Sequence, residues 1–396
     1  MTTMLGRLAE VNPPVPEFEA AASDAQVTFM PLEACWADGN ADFSRRVPKS
    51  VVSNGYTRFR DGDVLLPKIT PTFEAARVFP TTIDTGIGAA TTEVHVLRTR
   101  PHADARFVAY IARSQPFLQL GAASLQGVGN LRRVTADFVR TFPVAALDRV
   151  RQASIADYLD RETAQIDTLI AKQEQLIATL RERRVQMIAR GVTGGLNDAD
   201  HVDSGVPWLG PIKQSWSMLR VRHVVDIGTG YGDTVDAEPN GPYPFYVRSQ
   251  VPLRSDDFDH EGPAVLTAGD GAGVAKVFHL VDGKFKAHQR VYVLGNFRHV
   301  TPKFFLAYFS TFFSRVALDG SAKSTVDSVR RPMIADMPIC VPTWDEQREI
   351  TAHLDERTAQ IDTLIAKAER FIELSKERRA ALITAAVTGQ IEVPAA

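Results

Sequence analysis

Cysteine is the scarcest informative residue in this chain: only Cys35 and Cys340 among 396 residues. They stand too far apart for a zinc or redox spacing, and such poverty suits a reducing compartment, so a cytoplasmic location is expected. No apolar run reaches the length that spans a bilayer, and no membrane partner is expected. The opening MTTMLGRLAE lacks a basic stretch followed by an apolar one, which argues against secretion. Net charge is nearly absent, formally −2, which gives no support to bulk electrostatic binding of nucleic acid but leaves room for a local basic face. The nine histidines are scattered without ligand spacing, so no metal is expected, and His95 reads as a half-buried structural side chain. There is no nucleophile elbow and no Walker loop. Hydrophobic residues at 44% are enough for two ordinary cores.

What is present is a repeat. TAQIDTLIAK occurs at Thr163 to Lys172 and again at Thr358 to Lys367, an offset of 195. The same offset aligns Gln152 with Gln347, Ile155 with Ile350, Leu159-Asp160 with Leu354-Asp355, and Val192-Thr193-Gly194 with Val387-Thr388-Gly389. Upstream, Phe142-Pro143 falls on Met337-Pro338. The chain is therefore a tandem of globular segment, long helix, globular segment and long helix. The helices are read from period. Ile166, Ile170, Gln173, Ile177, Leu180, Arg184 and Met187 alternate spacings of four and three, as do Ile361, Ile365, Ala368, Ile372, Ser375, Arg379 and Leu382. Neither segment contains proline, and each is expected to run roughly 35–40 residues. A helix so long with so thin an apolar stripe is poorly stabilised alone, so the two are expected to pair with each other, antiparallel, chiefly through Ile166, Ile170, Ile177 and Leu180 with Ile361, Ile365, Ile372 and Leu382. The competing reading packs each helix on its own domain.

The segments near residues 1–150 and 205–342 are rich in short β-like runs broken by Gly, Pro, Asn and Asp, such as Asp63 to Leu66, Glu93 to Leu97, Pro263 to Leu266 and Arg290 to Leu294. Each also has a helical stretch, from Phe107 and from Phe304. They read as diverged copies of one α+β domain. Lys and Arg outnumber Asp and Glu by 14 to 10 between Val27 and Leu147, and by 15 to 13 between Trp208 and Val341, a bias compatible with phosphate contacts but no more than that.

The run VVDIGTGYGD, Val224 to Asp233, begins like the S-adenosylmethionine loop of a doubly wound methyltransferase. Such a site needs an acidic residue ending the next strand about 20 residues on. Asp256 and Asp257 sit instead in a polar run, and Asn240-Gly-Pro-Tyr243 carries glycine where an adenine methyltransferase motif has its first proline. The reading preferred is a strand, Val224 to Ile227, entering a glycine-rich turn.

Asp203 to Asp226, DSGVPWLGPIKQSWSMLRVRHVVD, together with Met337-Pro338, Val341-Pro342, Glu346-Gln347, Ile350 and Leu354-Asp355, resembles the specificity subunit of type I restriction–modification systems over almost the whole chain. The first copy departs from the pattern, with Arg151-Gln152 where Glu346-Gln347 stands, and no counterpart of Trp208 to Val221 precedes Leu8 to Asn12, so either its opening strand is expected to be missing or the start codon to be wrongly placed. The resemblance implies an α+β fold with two tandem target-recognition domains, residues 1–150 and 195–342, alternating with two spacer helices, residues 151–194 and 343–392, that pair as an antiparallel coiled coil. It implies a non-catalytic reader of double-stranded DNA, each domain reading one half of a split asymmetric site. Its partners would be two methyltransferase subunits, which bind the S-adenosylmethionine that this chain would not, and translocating nuclease subunits.

Base reading calls for Arg, Lys, Asn, Gln, Ser or Thr on loops that reach the major groove. The residues expected there are Lys68, Thr70, Arg77, Gln126, Asn130, Arg132 and Arg133 in the first domain, and Arg248, Ser249, Gln250, Lys276, Lys323, Ser324 and Arg330 in the second, with Tyr231, Tyr243 and Tyr246 along the same surface. Two alternatives stay open: a stand-alone S-adenosylmethionine-dependent methyltransferase, and a coiled-coil adaptor that binds protein only.

A whole heptad added to one long helix is expected to change the spacing between half-sites and leave both half-site sequences unaltered, as read by mapping methylated bases. A changed half-site sequence would refute the division into readers and ruler.

Overall fold

The computed structural model describes residues 2–35, 41–197, 200–318 and 328–394. Two compact units divide the chain, one formed by residues 1–174 with 369–396 and one by residues 175–368. The dividing points fall inside both long helices, so each unit owns a stretch of each.

In the first unit the opening strand is present. Thr2–Met4 (β1) pairs antiparallel with Pro143–Ala145, contrary to the sequence expectation. One helical turn, Leu5–Leu8, follows and buries Leu5 and Leu8. Next come β2 (Ala9–Val11), β3 (Gln26–Met30), β4 (Arg46–Pro48), β5 (Thr57–Arg60), β6 (Val64–Pro67), β7 (Phe79–Pro80), β8 (Ile87–Ala90) and β9 (Val94–Thr99), with Pro143–Ala145 as β10. They form two four-stranded sheets, β2-β9-β6-β7 and β4-β3-β8-β5. The first is wholly antiparallel; in the second β3 and β8 run parallel. Strands β6 and β9 are buried along most of their length, because one face meets the helix Ala105–Arg113 through Phe107, Val108 and Ile111 and the other meets the second sheet.

The second unit opens with a hairpin, β11 (His201–Asp203) and β12 (Pro211–Lys213), and then repeats the plan. Its strands are β13 (Ser217–Arg220), β14 (Asp226–Thr229), β15 (Tyr243–Tyr246), β16 (Leu253–Ser255), β17 (His260–Glu261), β18 (Ala264–Ala268), β19 (Phe278–Val281), β20 (Lys284–Ala287), β21 (Val291–Gly295) and β22 (Pro338–Val341). β13 pairs with β22 as β1 does with β10, and the sheets β14-β21-β18-β19 and β16-β15-β20-β17 reproduce both orders and directions of the first unit. The strand expected at Val224 to Ile227 starts later, at Asp226. Val221–Val224 is a helical turn that buries Val221 and Val224, as Leu5 and Leu8 are buried in the first unit. The helix Pro302–Leu318 closes the core with a column of aromatics from Phe304 to Phe313.

The long helices span Arg149–Gly194 and Trp344–Thr388, 46 and 45 residues, some 70 Å each at 1.5 Å per residue. Both exceed the length given by the seam, because their first turns are packed against a globular core and lie outside the heptad pattern. Asp148 Oδ1 caps the first by accepting the Arg151 N–H at 2.8 Å. Thr343 and Glu346 cap the second reciprocally, at 3.0 and 3.4 Å. Gly195 and Gly389, at φ +75° and +74°, end them in the left-handed region.

Within each unit the two helical stretches run antiparallel. In the first, Arg379 bonds Asp167 through two nitrogens at 2.9 and 3.2 Å, and Ile155 and Leu159 share a core with Ile383 and Val387. In the second, Arg184 lies 3.3 Å from Asp362, and a Cβ at Gly191 would touch Leu354 at 3.3 Å. These ion pairs are one pair duplicated, each member displaced by 195 residues. With the Asp167, Arg184 and Asp362 side chains open to solvent and only Arg379 largely covered, they add little stability, but they match direction and register. Ile166, Ile170, Ile177, Leu180 and Ile361 are buried; Ile365, Ile372 and Leu382 are half-buried.

Each long helix is joined to its domain by a fully buried glutamine. Gln152 Oε1 accepts the N–H of Asp104 at 3.0 Å while Nε2 donates to the carbonyl of Leu147 at 2.8 Å. Gln347 Oε1 accepts the N–H of Thr301 at 2.7 Å, and Nε2 donates to the carbonyls of His299 and Pro342 at 2.8 and 3.0 Å. Asp104 and Thr301 are themselves helix caps, accepting the N–H groups of Phe107 and Phe304 at 3.2 Å. The neighbouring position differs between copies, and the structure gives the reason. Glu346 reaches the opening hairpin's Lys213 Nζ at 2.6 Å and Trp216 Nε1 at 3.1 Å. Arg151 faces the tail of the chain and donates to the Val393 carbonyl at 2.7 Å.

Partial burial works against the Glu346 charge, yet Lys213, Trp216 and Thr343 outweigh it and hold the carboxyl down at about 2. A depressed carboxyl stabilises the fold above its unfolded value of about 4.5, and that contribution is lost as pH falls toward about 2. Glu346→Gln is expected to cost on the order of 1–3 kcal/mol at pH 7 and close to nothing near pH 2, as measured by urea denaturation across that range. An equal cost at both pH values would show that charge is not what this side chain contributes.

Candidate nucleic-acid interface

In the first unit, the turns that follow β6 and precede β9 lie at one end of the β2-β9-β6-β7 sheet. Backbone bonds gather the expected residues there. Thr70 N–H donates to the Arg132 carbonyl at 3.0 Å, Val134 N–H to Lys68 at 2.9 Å, and Gln126 and Arg133 exchange bonds at 3.0 and 2.8 Å. Beneath them His95 is buried, with Nε2 3.0 Å from the Val134 carbonyl and Nδ1 3.0 Å from Asn12 Nδ2. The cluster's members differ in what they have left to offer. Gln126 and Arg132 are exposed and Lys68 is half-exposed. Arg133 is engaged by Glu93 through two bonds at 2.6 and 2.8 Å, and the same guanidinium holds the Glu93 carboxyl below its usual range. Arg77 lies apart from the cluster and donates to the Cys35 carbonyl at 2.9 Å. The backbone of Asn130 belongs to the turn Gly129–Leu131; its side chain lies outside the described residues. Val128 and Leu131, missed in the sequence because they are apolar, are exposed on this loop.

In the second unit the corresponding sheet end carries Arg248, Ser249 and Gln250, all exposed, and Lys276 on the loop after β18. Arg330, also exposed, precedes the short helix Arg331–Ala335. Lys323 and Ser324 lie outside the described residues. Arg248 and Arg290 share one carboxylate, Asp270, at 2.8 and 3.1 Å, leaving a surplus positive charge beside a depression of about 350 Å³ lined by Thr234, Arg248, Asp270 and His288. Arg290 was missed because it reads as the first residue of a strand. Tyr243 and Tyr246 are half-buried against Phe258 and His279, whereas Tyr231 stands 82% exposed. Both sheet ends can present guanidinium, ammonium and amide donors to phosphates and base edges.

The glycine-rich turn has a structural explanation. A Cβ on Gly230 would lie 1.9 Å from the Ala287 carbonyl oxygen, so glycine is required for two backbones to approach. The Gly230 and Gly232 N–H groups donate to Val291 and Ala287 at 3.2 and 3.0 Å, which occupies the donors that would cradle a ligand. Gly241 likewise sits against the Ser255 backbone. β14 belongs to an antiparallel sheet, not to the parallel sheet of a doubly wound methyltransferase. Both thiols are buried and burial pushes each up to about 12, away from nucleophilic use. Among the described residues no group of three or more His, Cys, Asp or Glu could hold a metal, and no helix is long and apolar enough to cross a membrane.

The chain is similar in sequence to specificity subunits of type I restriction enzymes. It is 27% identical over 182 residues to the EcoDI specificity subunit of Escherichia coli, covering 46% of this chain and 40% of that protein. It is 31% identical over 195 residues to the EcoAI specificity subunit of the same organism, covering 45% and 31%. The matches thus span less than half the length of these relatives. No family model matches. In fold, it superposes with TM-score 0.79 on a chain from a study of complex assembly and conformational transition of a type I R-M system, at 16% identity, covering 99% of this chain and 98% of that one. A second solved structure, the HsdS subunit of Thermoanaerobacter tengcongensis, matches with TM-score 0.56 at 15% identity, over 99% and 97%. The tandem α+β fold with paired long helices read from the sequence is the fold these structures share.

Gly230→Ala separates a structural glycine from a ligand-binding one. Because the clash is with backbone, the substitution is expected to destabilise the second unit by roughly 2 kcal/mol or more, seen as a lowered urea midpoint. An unshifted midpoint accompanied by lost S-adenosylmethionine binding would restore the cofactor reading.

Proposed function

We propose that this chain is the sequence-specific DNA-binding subunit of a type I restriction–modification complex. Each globular unit reads one half of a bipartite, asymmetric site, and the long helices set the gap and receive two methyltransferase subunits. Adenine methylation, its S-adenosylmethionine and DNA cleavage belong to those subunits and to translocating nuclease subunits, and this chain has no catalytic role. The assembly works in the cytoplasm.

The observation that carries the reading is a contrast within one molecule. The two units repeat strand order, helix caps, buried glutamine and cross-helix ion pair. They differ at the sheet end where polar and basic side chains collect: half-exposed Lys68 with exposed Gln126 and Arg132 in one, exposed Arg248, Gln250 and Lys276 in the other. Repeated fastening with differing tips is what a scaffold with two separate specificities requires. The partner assignment is supported by the outer faces of the helices. Leu169 and Leu176, and their repeat mates Leu364 and Phe371, stay exposed at heptad spacing, as a surface awaiting further helices would.

Methylation mapping tests the proposal. The chain is expressed with its cognate methyltransferase subunit in a host that does not modify such sites, and modified bases are sequenced. A split motif with a fixed gap, dependent on both proteins, is the expected result, together with duplex binding whose affinity falls steeply with salt. Methylation by this chain alone would contradict the non-catalytic assignment. An assembled complex that neither methylates nor binds duplex would leave the protein-only adaptor as the better account.

A further inference from the structure

Tyr231 is the side chain that the glycine turn presents. Its backbone is pinned on every side. Tyr231 N–H donates to Asp259 Oδ2 at 3.1 Å, the N–H groups of Gly230 and Gly232 are bonded to Val291 and Ala287, and Gly232 accepts from Gln289 N–H at 2.9 Å. Beneath the ring is an aromatic column. Phe285 is buried in the core, His260 stacks on it at 5.3 Å and 14°, and Tyr231 stacks on His260 at 6.0 Å and 16°. His260 is itself oriented by Asp259, 2.7 Å from its Nδ1. The column runs from the core to a ring that is 82% exposed.

The nearby carboxylates are already engaged. Asp259 accepts from Tyr231 and Ala287, Asp257 and Asp236 hold Lys286 at 2.6 and 3.4 Å, and Asp233 accepts from Gln289 at 2.9 Å. What the turn presents is therefore a flat, exposed ring on a backbone held by four hydrogen bonds. It lies at the same sheet end as Arg248 and Arg290, because Thr229 at the close of β14 pairs with Tyr292 at the start of β21.

We propose that Tyr231 is a stacking contact for a nucleobase that separates from its neighbour when the second unit engages duplex DNA. The proposal rests on the DNA-reading function above and adds the residue and the distortion. A large exposed aromatic on a hydrogen-bonded turn leaves only its own side-chain torsions to order on binding, and a base laid on its free face extends the Phe285–His260–Tyr231 column by one member. Stacking of this kind is tolerant of base identity and favours a step that opens easily.

The test uses complexes assembled with wild-type, Tyr231→Phe and Tyr231→Ala chains, and duplexes carrying the mapped site with 2-aminopurine placed in turn through the half-site read by the second unit. Wild type and Tyr231→Phe are expected to brighten one position besides the methylated adenine, which the methyltransferase subunit extrudes in every variant, and to bind within about twofold of each other. Tyr231→Ala is expected to lose the brightening and bind about tenfold or more weakly, with an unchanged melting temperature because the ring is exposed. Equal brightening and affinity in Tyr231→Ala would overturn the proposal. So would a Tyr231→Ala chain that assembles poorly with the methyltransferase subunits yet binds DNA normally once assembled, since the ring would then face protein. A wild-type complex without salt-sensitive duplex binding would remove the reading on which the proposal stands, an outcome the variants cannot mimic.

Discussion

A buried glutamine amide in each unit is the constraint on which the architecture turns. Gln152 and Gln347 are uncharged, fully enclosed and bonded only to backbone. Each ties together the strand that precedes a long helix, the loop before the domain helix, and that helix's cap. Shortening either side chain would strand buried carbonyl and N–H groups, at about 1–3 kcal/mol apiece. The amide also fastens the first turns of the long helix to the core of its own domain, ahead of the heptad seam. The cross-helix ion pairs lie farther along the same helices, at positions that match register between them.

The helices and the duplication were legible because both are written in local order. A ten-residue identity and a four-three spacing survive without any knowledge of the tertiary structure. The starts expected at residues 151 and 343 fall within two residues of the observed Arg149 and Trp344, although both lie before the seam, where caps set by Asp148 and Thr343 decide the boundary. The opening strand Thr2–Met4 escaped notice. It has three residues, shows no alternation, and is defined by its pairing with Pro143–Ala145 more than 130 residues away.

The candidate residues could be assigned to loops from sequence, but which of their side chains are left available could not. A positive charge can be read from sequence, but its engagement cannot: Arg133 is held by Glu93 and Arg77 by the Cys35 carbonyl, across 40 and 42 residues. Arg290 and the apolar pair Val128 and Leu131 were passed over because strand propensity and hydrophobicity pointed them inward. The glycine turn misled for the opposite reason. Glycines that permit close approach look alike whether the approaching group is a ligand or, as at Ala287, another strand.

The division of the chain has a consequence for biosynthesis. The second unit is one continuous segment, residues 175–368, whereas the first needs residues 369–396 to complete its core through Ile383, Ala386 and Val387. On the ribosome, the unit made first is therefore the one finished last. Until about 195 further residues have been added, the apolar stripe of its helix has no mate, a long-range closure that is slow and exposes surface in the interval. Premature termination near residue 370 would spare the second unit and strand the first, so that a nascent chain is half assembled from the wrong end.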